Sequence, residues 1–406
     1  MGFGTIHKGA TGLLAFSRGL DSLSNNIANL NTPGFKRSDI LFRELFYQYQ
    51  LTGDSGRELS TSQLGNGVSI NGTFISFSQG DIQETGNGAD VAVNGNGFFI
   101  LRDGDTTYFT RGGQFDFDED GYLISRALDA RVAGIDDQGN LVDINISDFR
   151  ANPAQPTTEI TFVNNLSTGS TSHELTEVEV IDSLGDRHEL TLTFANNGSA
   201  TTGSWLITVE DDEGNTLAED LEIRFAGNGS PADGFNTVTF SFQPEDGAAA
   251  ANITLNFGDA GSFTGATSFS GGSNSTLAVD TQNGVAAGSL LDFRFRDDGS
   301  LELRYTNEET EDVARLALGW FDQLQSLRQI GNGLFLAPED LAVTIDAANE
   351  GIMGEIVGSS VEISNIELTQ EFTELIILQR GYQASSQAVT VANEMIQQLL
   401  DAGKGR

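Results

Sequence analysis

Apolar residues recur every seven positions at the two ends of this chain and every second position in most of what lies between. Near the N-terminus Ile6, Leu13, Leu20 and Ile27 are seven apart, and Phe16, Leu23 and Leu30 each follow three positions after one of the last three. That is the a/d spacing of a coiled-coil seam. Towards the other end Leu368, Leu375, Tyr382, Val389 and Ile396 repeat the spacing, with Leu378, Ala392 and Leu399 as d partners. An apolar stripe on a surface helix must find a second stripe to bury it. The candidates are the opposite terminus of the same chain and the termini of neighbouring copies, so the pattern predicts an assembly element made of residues 1–30 and 361–406.

Local chemistry suggests where these helices stop and start. Asn29 to Gly34 reads Asn-Leu-Asn-Thr-Pro-Gly, turn formers with a proline that pushes Thr32 out of helical backbone. Ser364 and Glu367 have capping-box spacing, which predicts a helix beginning near Asn365. Gly403 and Gly405 offer C-terminal stops, and Lys404 and Arg406 place positive charge at the negative end of the helix dipole. Gly9, Gly12 and Gly19 lie inside the first helix, each costing about 1 kcal/mol relative to alanine. Alone, that helix is expected to be marginal.

Between the helices the segments rich in β-branched and aromatic residues are short. They include 91–93, 98–102, 107–110, 177–182, 188–194, 204–209, 221–225, 237–242, 252–257, 291–295 and 301–305. Asp103-Gly104, Asp120-Gly121, Gly139-Asn140, Asn197-Gly198, Glu213-Gly214, Asn228-Gly229 and Asp298-Gly299 supply turn signals between them. Strands at this spacing without helical intervals predict antiparallel sandwiches or barrels. The fold class is therefore mainly β with α-helical termini: nested antiparallel β domains plus N- and C-terminal coiled-coil helices. Prolines at 153 and 156 and the Gly/Ser/Thr-rich stretch 258–288 mark composition shifts. They divide the chain into the helical ends, a connecting segment 31–70, an inner β domain of 71–149 with 285–360, and an inserted outer β domain of 150–284.

At 406 residues the chain is long enough for two or three domains with cores that need no staple. It has no cysteine, which removes thiol catalysis, disulfides and thiolate metal sites. A net charge of −37, with Lys8, Lys36 and Lys404 as the lysines, argues against nucleic acid and anionic membranes as partners; its plainest meaning is solubility. No apolar run approaches a membrane span, and no cleaved signal peptide is visible, because glycines and polar residues interrupt the first helix. An extracellular location would require a route without one.

Candidate chemistry is sparse. Asp116, Asp118 and Asp120 open like a calcium loop, but Ala127 stands where a bidentate Glu is needed, so a tight hairpin is expected. Gly95-Asn96-Gly97 has Ile100 at the third glycine position of a dinucleotide fingerprint and reads as a strand-linking turn. His7, His173 and His188 are not at metal-ligand spacing, and no nucleophile elbow is present. No catalytic, cofactor-binding or metal residue is nominated, and no cofactor is expected.

Asn25-Asn26-Ile27-Ala28-Asn29-Leu30-Asn31-Thr32-Pro33-Gly34-Phe35-Lys36-Arg37 resembles the long signature of the flagellar rod and hook axial proteins. Val93 to Ile100, Tyr108 to Arg111 and Asp118 to Leu123 are similar to that family's core β segment, and Asn365 to Leu368 through Gln379 to Ala384 to its C-terminal helix. Residues 150–284 carry no quotable motif. The resemblance implies a homopolymer exported by the flagellar type III apparatus, with rod, hook-cap and hook–filament junction proteins as end partners. The presence of a second β domain suits the hook members, which form a curved tube transmitting torque; the Thr32-Pro33 pair looks more like the rod members, so a distal rod-like protein is the alternative. Hinges are expected at the Gly- and Asn-rich joints 31–34 and 354–360. Two other classes stay open on residues alone: a plain dimerising β protein, and a secreted β-rich hydrolase or binding module.

Overall fold

The computed structural model describes residues 2–52, 60–136, 138–244 and 247–404. It is mainly β, with a helix at each end, and divides into two compact units. The first comprises residues 1–147, 293–302 and 312–406; the second comprises 148–292 and 303–311.

In the first unit helix α1, Gly2–Ala28, lies antiparallel against helix α2, Leu368–Lys404. The order of contacts defines the direction: Gly9 faces Ser385 and Val389, Gly12 faces Ser385, Gly19 faces Leu378, and Gly381 of α2 faces Phe16. Helix α2 begins three residues later than the capping-box spacing suggests. The Glu371 N–H donates to the Glu367 carbonyl at 3.0 Å, whereas the Ser364 hydroxyl is buried without a hydrogen-bond partner and Asn365 is engaged elsewhere. Tertiary contacts therefore hold residues 363–367 out of the helix. At its other end α2 continues through Gly403 to Lys404; Gly405 and Arg406 lie outside the described residues.

A two-stranded ribbon follows α1. Strand Ser38–Glu44 pairs antiparallel with Val68–Ile75, with a bulge at Leu41/Phe42, and Gln48–Thr52 pairs with Ser60–Leu64. The ribbon lies along α1: the Phe16 and Phe42 rings are 6.1 Å apart, and the Ser22 hydroxyl donates to the Ser38 carbonyl at 2.9 Å. The rest of the unit is β-sheet. The hairpin Phe98–Asp103 with Thr106–Thr110 is joined by Arg131–Ile135 on one side and Leu334–Leu336 on the other. Its core is aromatic, Phe98, Phe109, Phe321 and Phe335 being buried together in edge-on contacts that suit the ring quadrupole. The Asp116–Asp120 segment is the tight turn expected: Gly121 has φ +83°, and Asp118 Oδ1 accepts the Tyr122 N–H at 2.8 Å.

The second unit is a sandwich of two sheets around one core. Strands Ser172–Ile181, Arg187–Asn196, Ser204–Glu210 and Thr216–Arg224 form an antiparallel meander. The facing sheet contains Thr237–Phe242, Ala251–Asn256, Glu159–Asn165 and Ala278–Gln282. Alternation sends Leu190, Leu192 and Phe194 inward to meet Phe162, Phe257 and Trp205. Not every pair is antiparallel: Glu159–Asn165 runs parallel to Ala251–Asn256. This first strand of the sandwich is also antiparallel to the last, Ala278–Gln282, so the segment enters and leaves side by side.

Candidate functional site: the helix pair and its joint to the β-sheet

The sequence-derived seam residues occupy two different faces of the helices. Leu23 and Ala392 are buried, at 3% and 2% exposure. Ile6, Leu13, Phe16, Leu20, Ile27 and Leu30 are partly buried, as are Leu375, Leu378, Val389 and Ile396. Leu368, Tyr382 and Leu399 remain exposed, at 41%, 41% and 70%. The stripe of α1 turned towards α2 is instead Gly9, Gly12, Phe16, Gly19, Leu23 and Asn26. A Cβ at Gly9 would come within 2.5 Å of Val389 Cγ2, and one at Gly12 within 2.7 Å of Ser385 Oγ. The glycines that weaken the isolated helix are thus the residues that let the two backbones approach. Heptad reading overlooked them because a glycine adds nothing to an apolar stripe.

The motif that follows α1 makes the joint. Gly34 has φ +71°, and a Cβ there would run into the backbone of Gly112, so glycine is required on two counts. Its N–H donates to the Glu362 carbonyl at 2.8 Å. Phe35 is buried at 6% exposure. Lys36 and Arg37 then point to opposite partners. Lys36 Nζ, 1% exposed, contacts Glu362 Oε1 at 2.6 Å and donates to the Ser78 carbonyl at 2.8 Å. The other Glu362 oxygen lies 3.0 Å from Arg111 Nε, and the Gly80 N–H donates to Oε1 at 2.8 Å. Arg111 also donates to the Gly97 and Gly95 carbonyls, which ties down the turn read as a failed dinucleotide fingerprint.

Arg37 faces the helices. Its guanidinium reaches Glu371 at 3.0 Å, Glu374 at 2.7 Å and Asp39 at 2.9 Å, while its backbone N–H donates to Asn365 Oδ1 at 2.8 Å. The Asn365 amide donates to the Ser76 and Ser78 carbonyls at 2.8 and 3.0 Å. Asn26, 1% exposed, closes the set: its amide exchanges hydrogen bonds with the Ser38 backbone, 3.1 Å each way. Within the motif, Asn29 donates to the Asn25 carbonyl at 2.9 Å and accepts from the Thr32 hydroxyl at 3.1 Å, which turns the chain out of α1. Ala28 and Asn31 are exposed.

Burial dominates the electrostatics. It lowers the Lys36 pKa, with the Arg111 charge adding to the effect and Glu362 opposing it, and it lowers Arg111 against the pull of Glu362. Burial raises Glu371, opposed by Arg37 and by the Asn26 hydrogen bond. The expected hinges are pinned in this arrangement. Gly34 is hydrogen-bonded to Glu362 and Thr32 to Asn29, and Glu355–Gly358 and Ser360–Glu362 are strands paired with Val91–Asn94 and Ile82–Glu84. Backbone pairing and close packing at Gly34 and Gly354 outweigh the intrinsic freedom of glycine.

Among the described residues no His/Asp/Glu group could hold a metal ion, and no helix is long and apolar enough to cross a membrane. His188 contacts Asp182 at 3.0 Å and His173 the Leu277 carbonyl at 2.9 Å.

Four family descriptions match successive parts of the chain: "Flagella basal body rod protein" over residues 6–36, "Flagellar hook protein FlgE/F/G D1 domain" over 92–162, "Flagellar basal body protein FlaE D2 domain" over 150–333, and "Flagellar basal body rod FlgEFG protein C-terminal" over 357–402. The chain is 26% identical to the flagellar hook protein FlgE of Treponema pallidum, covering 98% of both chains, and 27% identical to that of Escherichia coli K12, covering 97% of this chain and 98% of the relative. Against the Helicobacter pylori hook protein FlgE identity rises to 38%, over 56% of this chain and 32% of the relative. The crystal structure of H. pylori FlgE2 shares the fold, with a TM-score of 0.50 at 14% identity, covering 69% of this chain and all of that one. From the order of the four matches and the nearly full-length similarity to hook proteins, this chain belongs to the flagellar hook protein family.

Proposed function

We propose that this chain is the structural subunit of the bacterial flagellar hook, self-assembling into a curved, flexible tube that passes torque from the basal-body rod to the filament. The apolar surface left open after the two helices have paired carries this reading. The glycine stripe of α1 serves the α2 contact, so Ile6, Leu13, Leu20 and Ile27 are only partly covered. On α2, Phe372, Ile376, Ile377, Leu399 and Leu400 stay exposed at 50%, 52%, 60%, 70% and 60%. A helix pair this apolar on its outer faces buries them among neighbouring copies. The first partner is therefore the chain itself; rod, hook-cap and hook–filament junction proteins would meet the tube at its ends. Export through the flagellar type III apparatus, without a cleaved signal, would deliver the subunit outside the cell. The role is structural, with no catalysis and no cofactor.

Electron microscopy of the purified, polymerised protein tests the reading. Curved tubes of uniform diameter are expected, short straight ones would indicate a rod protein, and no polymer would remove the proposal. Ile376→Ser with Ile377→Ser and Leu399→Ser should leave the circular dichroism of the monomer unchanged while abolishing sedimentable polymer. Continued polymerisation would take these positions out of the assembly face.

A further inference from the structure

We propose that the strand Ser360–Glu362 is a folding latch: the first unit stays open until this segment docks, whereas the second unit closes without it. The latch acts in the free chain and does not depend on the tube. Strands Ile82–Glu84 and Val91–Asn94 find their strand partners in Ser360–Glu362 and Glu355–Gly358. The Gly34 N–H, the Gly80 N–H, Lys36 and Arg111 all converge on Glu362. Lys36 and Glu362 are 326 residues apart. Until Glu362 arrives, closing the sheet would bury Lys36 and Arg111, which sit at 1% and 4% exposure, as two cations sharing one site with no carboxylate to balance them. The desolvation cost of unpaired buried charge makes that closure unfavourable. Gly80 shows how closely the latch seats, because a Cβ there would overlap the Ile363 carbonyl.

The second unit makes no such demand. Its strands from Glu159 to Gln282 pair with one another, and its core around Phe162, Phe194 and Trp205 is drawn from the same stretch. A chain delivered progressively with its C-terminus last would therefore complete the sandwich while the first unit waits for residues 355–365.

Each unit contains one tryptophan, Trp205 in the second and Trp320 in the first. Full-length proteins carrying Trp205→Phe or Trp320→Phe report each unit separately. In refolding from urea, with pulsed hydrogen exchange alongside, residues 82–94 and 355–362 should gain protection together, after the strands between 187 and 224. Protection of 91–94 ahead of 355–362 would overturn the proposal. Glu362→Gln retains the shape and removes the charge. It should speed exchange at 34–37 and 80–94 by about a hundredfold or more, the scale of an orphaned buried pair, and leave the Trp205 transition in place. Unchanged exchange at 34–37 and 80–94 would overturn the latch, and so would loss of both transitions together. A Lys36→Met, Arg111→Met, Glu362→Leu variant removes the charges as a set. It should abolish the delay, so that protection at 82–94 no longer trails the sandwich; a delay as long as in the wild type would mean that chain topology, and not the charge set, holds the unit open.

Discussion

Two buried glutamates, Glu362 and Glu371, sit beside consecutive basic residues and behave differently. Glu362 accepts from Lys36 and Gly80 and lies against Arg111, so its loss leaves buried cations without compensation. Glu371 shares Arg37 with Asp39 and Glu374, both of which are more exposed, and burial raises its pKa. A raised folded-state pKa means that the protonated form suits the fold better. The corresponding stability is fully present below the ordinary glutamate range and is lost as pH rises through the folded value. Glu371→Gln should therefore match or exceed wild-type thermal stability at pH 7, and the difference should vanish below about pH 4, where glutamate is largely protonated in the unfolded chain too. A large drop in the melting temperature of Glu371→Gln at pH 7 would mean that the Arg37 contact outweighs burial. The Gly-Phe-Lys-Arg run is conspicuous in the sequence, yet its partners were not legible. Nothing local distinguishes Glu362 or Glu371 among 58 acidic residues; only the crossing of distant strands selects them.

For the helices, propensity and packing pull in opposite directions, which makes the glycine stripe testable. Gly9→Leu with Gly12→Leu should raise the helicity of an isolated peptide of residues 1–30, since each replacement gains about 0.8 kcal/mol in propensity. In the full chain the same changes place side chains where Val389 and Ser385 already sit. Backbone amides in both helices should then exchange faster. If helix protection in the full chain rises along with the peptide's helicity, close approach is not what these glycines provide. The apolar heptads did indicate two terminal helices, and α1 ends at Ala28, where the Asn-Leu-Asn-Thr-Pro-Gly run begins. They did not indicate which stripe pairs internally. The ribbon 38–75 was also missed, because its strands leave Leu41, Phe42 and Phe74 exposed at 45%, 43% and 43% and show no clean alternation.

Across the whole molecule, the second unit begins and ends at neighbouring points. Gln155 and Val285 exchange both backbone hydrogen bonds at 2.8 Å, and Ala151 pairs with Ser289. Replacing residues 156–284 by Asn-Gly would close that ladder with a two-residue hairpin turn, a shorter loop than the one removed. The shortened protein should keep the Trp320 fluorescence of the first unit and, on our reading, should still polymerise, into tubes of altered curvature. Unchanged curvature in micrographs would exclude the sandwich from shaping the tube, and a folded variant that fails to polymerise would show that it supplies essential contacts.

The sequence by itself determined the quantities set by neighbours along the chain. Period-seven and period-two apolar patterns specify helix at the ends and strand between them, because burial of one face is decided by spacing within a single element. Asp-Gly and Gly-Asn pairs mark turns, and positive φ at Gly104, Gly121, Gly139, Gly214 and Gly299 accords with that chemistry. Only the tertiary structure decided which faces meet. It turned the glycines of α1 towards α2, moved the start of α2 from Asn365 to Leu368, set two strand pairs parallel inside the sandwich, and brought Lys36, Arg111 and Glu362 into one buried cluster. Those outcomes depend on partners separated by much of the chain, and the free energy of a close helix approach or a buried ion pair exists only once both partners are in place.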